Sequence, residues 1–194
     1  MKTLLSYTTI SDYLQANHTY ICKQLGCVKP ETEAMLAGRE AHQVLQGHLL
    51  GEIKLPIDLD WNCTDIEYHA RKDADEEYQF HSYLDGVNWK SKVAFEIKTS
   101  GSNPWGQGQF NSSIQPKYYS WITGLKKFVF ITCKFDLSGL KVFYKEMTDQ
   151  DWKEAEDWAM KALKGIKAGE FKGGLDEKTG KCLGCNYQQN CHFL

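Results

Sequence analysis

Three side chains in the middle of the sequence could share one chemical site. Glu96 and Lys98 are two positions apart in a β-prone stretch, and side chains two apart on a strand point to the same face. Asp85 ends the preceding predicted strand, and a turn over residues 86–91 would bring it alongside Glu96. Two carboxylates that face one point can hold Mg²⁺ or Mn²⁺, because these hard cations prefer oxygen ligands.

A cation held in this way suits the hydrolysis of a phosphodiester. A bound metal lowers the pKa of water and neutralises charge on the phosphate under attack. Lys98 would orient or help to activate that water and stabilise the developing negative charge. Taken alone, the spacing is also typical of a surface Glu-x-Lys pair beside a turn aspartate, so the three residues need further support.

Four short motifs in a fixed order supply that support. In chain order they are Gly38-x-x-x-His42, Asp85-Gly86, Glu96-Ile97-Lys98 and Gln115-x-x-x-Tyr119. Together they resemble the RecB-like branch of the PD-(D/E)xK nucleases, particularly the CRISPR-associated and phage-encoded RecB-like exonucleases, across nearly the whole chain. The resemblance implies a restriction-endonuclease-like fold and a divalent-metal-dependent DNA exonuclease that acts on single-stranded ends.

The resemblance also implies a metal site. His42 would be a ligand beside Asp85 and Glu96, and the backbone carbonyl of Ile97 would be a further ligand. A nitrogen ligand favours Mn²⁺ over Mg²⁺. A histidine within a helix is otherwise usually a packed or surface residue, so this role depends on the order of the motifs.

Gln115 and Tyr119 complete the implied catalytic set. They are one helical turn apart and share a helix face, which the resemblance places at the site. Gln115 would contact DNA or hold the catalytic groups. Tyr118, Tyr119 and Trp121 could stack on single-stranded bases, or they could pack in the core.

The cysteines predict a second metal centre near the C-terminus. The sequence has seven, an odd number without a secretion signal, which favours reduced thiols or metal ligation over disulfides. Cys182, Cys185 and Cys191 place three soft ligands close together. Cys63 and Cys133 lie in apolar or strand-like segments of the sequence and are expected to be buried structural thiols.

The resemblance to the RecB-like nucleases implies which metal centre these cysteines hold. In many of them a similar tail and one cysteine of the first helix bind a 4Fe-4S iron-sulfur cluster. Here Ala16 stands where that fourth cysteine is expected, and we take Cys22 as the substitute, with Cys27 also nearby. A zinc site completed by His18 or His192 is the alternative.

Periodicity and turn residues predict an α/β (α+β) domain with a central mixed sheet flanked by helices. The predicted helices cover residues 9–25, 31–50, 112–124 and 148–166, and the predicted strands cover residues 65–69, 78–84, 92–98, 127–135 and 140–146. Residues 101–108 are expected to form a loop. We expect a nuclease domain over residues 1–168, with residues 1–30 contributing to a cluster lobe, and a cysteine-rich metal-cluster appendage over residues 169–194.

Composition and charge limit the partners. No apolar run approaches the roughly 20 residues of a membrane span, and the chain begins without a cleavable leader, so a cytoplasmic protein of a bacterial, archaeal or phage-infected cell is expected. The net charge of -2 gives no bulk attraction to nucleic acid. Local lysines would have to compensate, and the candidates are Lys90, Lys92, Lys98, Lys117, Lys126 and Lys127.

Two other functions fit parts of the pattern. One is a noncatalytic or endonucleolytic DNA-end processing subunit that docks on an integrase, a recombination protein or a CRISPR-adaptation partner. The other is a zinc-bound structural module, which explains the cysteine tail and leaves the four ordered motifs unexplained.

Overall fold

A six-stranded mixed β-sheet forms the centre of the described fold. The structure is a computed structural model that describes residues 2–15, 17–24, 26 and 30–170, without the side chains of residues 17–19 and 22. The elements in chain order are β1 (Thr3–Ser6), α1 (Tyr7–Gln15), α2 (Asn17–Gln24), α3 (Glu33–Leu49), β2 (Asp65–Asp73), β3 (Tyr78–Asn88), β4 (Val93–Ser100), α4 (Gln107–Ser112), α5 (Ile114–Thr123), β5 (Lys127–Lys134), β6 (Lys141–Glu146) and α6 (Asp149–Lys167).

The sheet has the mixed character that the sequence predicted. Its strands are ordered β1-β3-β4-β5-β6, and β2 pairs with β3 outside this path. The β2–β3 and β3–β4 pairs are antiparallel, whereas β4 and β5 are parallel. Parallel neighbours need a crossover connection, and here α4 and α5 provide it. The α+β class with a mixed sheet flanked by helices is confirmed.

Three features differ from the sequence prediction. β1 was not predicted, because a four-residue strand shows no periodicity; the Thr3 N–H donates to the Glu77 carbonyl at 2.7 Å. α4 starts inside the predicted loop, where the Gln109 side chain accepts a hydrogen bond from the Gly106 N–H at 2.7 Å and so caps a glycine-rich start. The predicted first helix is two helices, α1 and α2, and residue 16 between them is outside the described residues.

β4 is buried along most of its length because it lies between β3 and β5. Val93, Phe95 and Ile97 are each at most 3% exposed and pack against α3 through Leu45 and Leu49. Burial of both faces of a central strand produces the continuous apolar run in the sequence. This core holds α3, and therefore His42, against the sheet.

Capping fixes where three helices begin. The Thr32 hydroxyl accepts from the Met35 N–H at the start of α3, and the Ser113 hydroxyl accepts from the Gln115 N–H at the start of α5. Pro116 is in the first turn of α5, where its missing N–H has no intrahelical partner. At α6, Thr148 and Asp151 cap each other reciprocally, as their spacing predicted.

The chain divides into two compact units. The first contains Met1–Leu4 and Thr32–Glu156, and the second contains the described parts of Leu5–Glu31 and Asp157–Leu194. Within the second unit, Tyr7 stacks on Trp158 and the Tyr13 hydroxyl donates to the Glu170 carbonyl at 2.7 Å. In this unit α1 therefore lies against the residues that lead into the cysteine tail.

Two further findings concern the described helices and thiols. No helix in the described part of the chain is both long and apolar enough to span a membrane. Cys133 is fully buried and Cys63 is half-buried, and both are free thiols. Burial raises the pKa of Cys63 to about 12, so this thiol is inert, as expected for a structural cysteine.

Candidate active site

Asp85 lies at the point where β3 and β4 separate. The backbone pairing of these strands ends at Gly86 opposite Phe95. Asp85 is the residue before Gly86, and its Oδ2 accepts a hydrogen bond from the Ile97 N–H at 2.6 Å. The carboxylate therefore takes the place of a strand partner and is held between the two strands.

His42 approaches the other oxygen of the same carboxylate. Its Nε2 is 3.4 Å from the Oδ1 of Asp85. Burial alone lowers the pKa of His42, but the hydrogen bond to Asp85 and the charges of Asp85 and Glu96 outweigh burial and raise this pKa above its ordinary value. The imidazole thus lies in a negative environment that also suits a cation.

Glu96 and Lys98 project together from β4, as the strand alternation predicted. The Nζ of Lys98 is 2.5 Å from the Oε1 of Glu96, and the Glu96 side chain is only 2% exposed. Burial raises the pKa of Glu96 to about 7, with the charge of Asp85 adding to the rise and Lys98 opposing it. The two carboxylates are therefore close enough to repel each other.

Two glycines of the predicted motifs, Gly38 on α3 and Gly86 on β3, lie in close contacts near the candidate site. A Cβ on Gly38 would lie 3.2 Å from a ring carbon of Phe135 and 3.4 Å from the Thr99 hydroxyl oxygen, which donates to the Gly38 carbonyl. A Cβ on Gly86 would lie 2.3 Å from the Cys63 sulfur. The glycine of the Gly-x-x-x-His motif thus lets α3 pack closely on Thr99 and Phe135, and the glycine of the Asp-Gly motif leaves room for the Cys63 thiol against β3.

The loop before α4 borders Lys98. The Trp105 N–H donates to the Thr132 hydroxyl at 3.0 Å, which ties the loop to β5. The Lys98 ammonium is 6.0 Å from the centroid of the Trp105 ring. Trp105, within the predicted loop over residues 101–108, therefore lies beside Lys98.

Glu67 is a structural feature that sequence reasoning missed. It lies on β2 between Ile66, paired with Gly86, and Tyr68, paired with Leu84, so it is opposite Asp85. Its φ of 50° is in the left-handed region, which costs a side-chain-bearing residue roughly 1–3 kcal/mol. The backbone is therefore strained directly across from Asp85. No glycine or other turn-forming residue at this position predicts the strain.

Gln115 and Tyr119 form a pair on α5. The Gln115 amide donates to the Tyr119 hydroxyl at 2.8 Å, and Tyr119 is 8% exposed. The predicted sharing of one helix face is confirmed. Their role toward the Asp85 and Glu96 group stays a prediction.

The aromatic residues of α5 are packed in the core. Tyr118 is 0% exposed, and Tyr119 and Trp121 are each 8% exposed. The interpretation of these rings as stacking surfaces for bases is wrong, because tertiary packing covers them.

Three of the six lysines that were expected to attract DNA, Lys98, Lys117 and Lys126, are paired with carboxylates. Lys117 pairs with Asp151 at 3.0 Å and with Glu154 at 2.5 Å, and Lys126 pairs with Asp149 at 2.6 Å. Lys90, Lys92 and Lys127 are exposed.

The donor set fits a divalent cation, although the donors are at present paired with one another. In residues 30–170 and the described N-terminal segments, no three His, Cys, Asp or Glu side chains converge closely enough to form a ready-made metal-binding group. However, the Oε2 of Glu96 is buried without a hydrogen-bond partner. A buried, unpartnered carboxylate oxygen beside Asp85 and His42 is what a hard cation would satisfy.

The predicted cysteine centre is outside the described residues. Ala16, Cys27, Cys182, Cys185, Cys191 and His192 all fall there, and the side chains of His18 and Cys22 are also not described.

Comparisons with known proteins bear on the fold. No protein-family model matches the sequence. No curated protein matches it significantly. Solved structures do match. A protein described as a candidate exonuclease from Eubacterium rectale shares 13% identity, with a TM-score of 0.59 over 98% of this chain and 89% of that chain.

An alkaline exonuclease from Laribacter hongkongensis, LHK-Exo, is also similar. It shares 14% identity, with a TM-score of 0.56 over 85% of this chain and 88% of that chain. LHK-Exo in complex with dAMP gives 16% identity and a TM-score of 0.59 over the same shares, 85% and 88%. Likeness at such low identity establishes the fold, and the activity needs its own evidence. The chain therefore shares its fold with these exonuclease structures, and this agrees with the fold that the order of its four motifs predicted.

Proposed function

We propose that this protein is a divalent-metal-dependent deoxyribonuclease that removes nucleotides from single-stranded DNA ends. The observation that carries the proposal is the meeting of His42, Asp85, Glu96 and Lys98 at the point where β3 and β4 separate. These residues come from two strands of the sheet, β3 and β4, and from α3, on a fold shared with known exonucleases. A surface ion pair would not require a fully buried glutamate with an unpartnered oxygen.

Asp85, Glu96 and His42 would hold the cation, with the Ile97 carbonyl as a further ligand. Mn²⁺ or Mg²⁺ bound there supplies charge neutralisation at the phosphate and lowers the pKa of water. His42 would favour Mn²⁺. The charge of Asp85 helps to raise the pKa of His42 and adds to the rise that burial causes in the pKa of Glu96. This local negative charge supports the assignment, since a bound cation would neutralise it.

Lys98 would position the attacking water and stabilise negative charge on the phosphate oxygens. Its ammonium contacts Glu96 on one side and lies near Trp105 on the other, so its position is fixed. Gln115, oriented by its hydrogen bond to Tyr119, would contact the DNA strand or hold the catalytic groups.

The choice of DNA ends is supported by the neighbours. Two proteins among the solved neighbours are described as exonucleases, and one of them, LHK-Exo, is also known in complex with dAMP, a deoxynucleoside monophosphate. A monophosphate is the product expected of cleavage at a strand end. We infer the same substrate class here, in the cytoplasm of a bacterial, archaeal or phage-infected cell.

The test uses the full chain and a single-stranded oligonucleotide labelled at either end. With Mn²⁺ present we expect progressive shortening from an end, which stops when a chelator is added. Asp85→Ala and Lys98→Ala proteins should be inactive, and Lys141→Ala on the exposed face of β6 should match the wild type. Full activity in either site variant would refute the assignment.

A different outcome would favour the alternative function. Tight binding of DNA ends without cleavage, unchanged by Mn²⁺ or Mg²⁺, would indicate a noncatalytic subunit that acts with an integrase or recombination partner. Internal cuts in a circular single strand would indicate an endonuclease.

We further propose that Cys182, Cys185, Cys191 and Cys22 hold a 4Fe-4S cluster, with zinc as the alternative metal. Four thiolates are the usual ligands of such a cluster. The contact of Tyr13 with Glu170 supports the proposal, because it joins α1 to the residue that leads into the cysteine tail. In this arrangement residues 1–30 of the nuclease domain (residues 1–168) and the appendage of residues 169–194 would together form a cluster lobe.

Anaerobic purification followed by a visible spectrum and elemental analysis tests the cluster. Iron and sulfide with a visible absorption band support it, and zinc alone supports the alternative. A protein with neither metal, or a Cys185→Ala protein with full metal content, would contradict the proposal.

A further inference from the structure

Four side chains on β2 and β3 form a cluster that the catalytic proposal does not use. His69 and Arg71 come from β2, and His81 and Tyr83 come from β3. The strand register pairs His69 with Tyr83 and Arg71 with His81, so all four occupy one face of the hairpin. We call this cluster the β2–β3 patch.

Hydrogen bonds give the patch a defined direction. The Arg71 guanidinium is 3.4 Å from the Nδ1 of His69, and the Nε2 of His69 is 3.2 Å from the Nδ1 of His81. A guanidinium only donates, so the Nδ1 of His69 accepts and its Nε2 carries the proton that it donates to His81. The Nε2 of His81 then remains an N–H donor.

Arg71 keeps most of its binding capacity. Within the part of the chain that the structure describes, no carboxylate lies within ion-pair distance of its guanidinium, in contrast to Lys117 and Lys126. A guanidinium has five N–H donors in a fork that matches phosphate geometry. Its single contact with His69 therefore leaves a cationic donor group at an exposed position.

Tyr83 presents an open aromatic face. It stacks on His69 with ring centroids 4.4 Å apart and planes at 13°, yet it is 55% exposed. One face of the ring is supported and the other is accessible, as a stacking platform requires. The tyrosines of α5 lack this property because they are buried.

The patch leads directly to the proposed catalytic carboxylate. His81, Tyr83 and Asp85 occupy every second position of β3. Residues two positions apart on a strand project from the same side, so these three share one side of β3. Tyr83 precedes Asp85 by two residues, a rise of roughly 7 Å along the strand. A nucleic-acid strand with a phosphate at Asp85 would pass over Tyr83 next.

We propose that the β2–β3 patch binds the single strand of DNA beside the catalytic site, with a base stacked on Tyr83 and a phosphate held by Arg71 and His81. The inference rests on the proposed nuclease function and names the surface that its substrate occupies. It also explains how a chain with a net charge of -2 can hold DNA, because one unneutralised arginine and oriented imidazoles act locally.

Binding without cleavage tests the patch. The full chain in chelator is titrated with a fluorescein-labelled oligothymidine and with an abasic strand of equal length. Tyr83→Ala should weaken binding of oligothymidine by roughly five- to hundredfold, the range for loss of one stacked base, and leave the abasic strand unchanged. Tyr83→Phe should retain affinity. Tyr144→Ala, an exposed tyrosine on β6, is the matched control and should bind as the wild type does.

Arg71→Gln separates the phosphate contact from stacking. It should weaken both strands and reduce the slope of log affinity against log salt by about 0.7, the value for one lost phosphate contact to a single strand. Lys141→Gln is the matched control. Thermal unfolding checks that each variant folds, which is expected for exposed positions.

The outcomes distinguish this inference from the nuclease proposal. Tyr83→Ala affinity for oligothymidine within twofold of the wild type overturns the patch, even if the protein cuts DNA. Absence of wild-type binding overturns it as well. If Tyr83 mediates base-dependent binding but the protein never cleaves DNA, the β2–β3 patch is supported and the proposed nuclease function is contradicted.

Discussion

Asp85 bonds to Ile97 through its side chain at the position where backbone pairing between β3 and β4 stops, with Oδ2 accepting the Ile97 N–H at 2.6 Å. Its other oxygen is 3.4 Å from His42. One carboxylate therefore serves both the sheet and the proposed metal site, and variants can separate these two roles.

Asp85→Asn should retain the fold and lose activity. The amide oxygen can still accept the Ile97 N–H, whereas Asp85→Ala leaves this donor without a partner and should lower the free energy of unfolding by about 1–3 kcal/mol. Both variants should lose metal-dependent cleavage because the charged ligand is gone. Urea unfolding in chelator, with the oligonucleotide assay, checks this. Equal stability of the two variants would contradict the structural role.

Glu96 makes the metal-free protein sensitive to pH. Its pKa is raised from 4.5 to about 7, so between these values the folded protein keeps a proton that the unfolded chain has lost. The folded state is then favoured at low pH, and its free energy of unfolding falls as pH rises through this window, by up to about 3 kcal/mol. Glu96→Gln removes this dependence, so the variant should become more stable than the wild type as pH increases.

Urea unfolding at pH 5 and pH 8 in chelator measures the difference between Glu96→Gln and the wild type. An excess of Mn²⁺ at pH 8 provides the control, since it should stabilise the wild type and have little effect on the variant. A stability difference that is the same at both pH values would rule out a carboxylate whose pKa is raised by burial at this position.

His42→Gln should change the metal preference. Loss of the imidazole nitrogen should weaken Mn²⁺ binding by at least about tenfold and Mg²⁺ binding less, because nitrogen ligands favour Mn²⁺. Cleavage is titrated with each metal separately, and the metal-induced rise in melting temperature is measured in parallel. An equal loss for both metals would place His42 outside the ligand set.

Tyr119→Phe should affect catalysis more than stability. It removes the acceptor that orients the Gln115 amide at 2.8 Å, and we expect kcat to fall by about two- to tenfold, which corresponds to one hydrogen bond. Tyr118→Phe is the control on the same helix, since its hydroxyl donates to the His81 carbonyl at 3.3 Å instead. If both variants lose kcat equally, the Gln115–Tyr119 pair has no specific role.

Local patterns in the sequence predicted much of the sheet and part of the site. The alternation of strand side chains placed Glu96 and Lys98 on one face. The predicted turn over residues 86–91 is wrong, because β3 continues to Asn88, but the antiparallel pairing of β3 with β4 still brings Asp85 towards Glu96. The spacing of Thr148 and Asp151 predicted their mutual cap. The strand alternation and the helix cap were predicted correctly because each depends on residues near one another in the chain.

Other features could not be predicted because they depend on distant contacts. Tyr118 and Tyr83 both lie in segments that mix aromatic and polar residues, yet Tyr118 is fully buried and Tyr83 is 55% exposed. The left-handed backbone of Glu67 and the pairing of Lys117 with Asp151 also arise only when separate elements pack together.

The sequence by itself determined which residues could bind a cation and in what order the elements carry them, since residue chemistry and backbone periodicity are local properties. Only the tertiary structure decided that His42 reaches Asp85 and that the Glu96 carboxylate is buried. The same holds for Tyr83, which keeps an open face while the rings of α5 are covered. Burial and proximity follow from the packing of α3, α5 and the sheet, which no short stretch of sequence encodes.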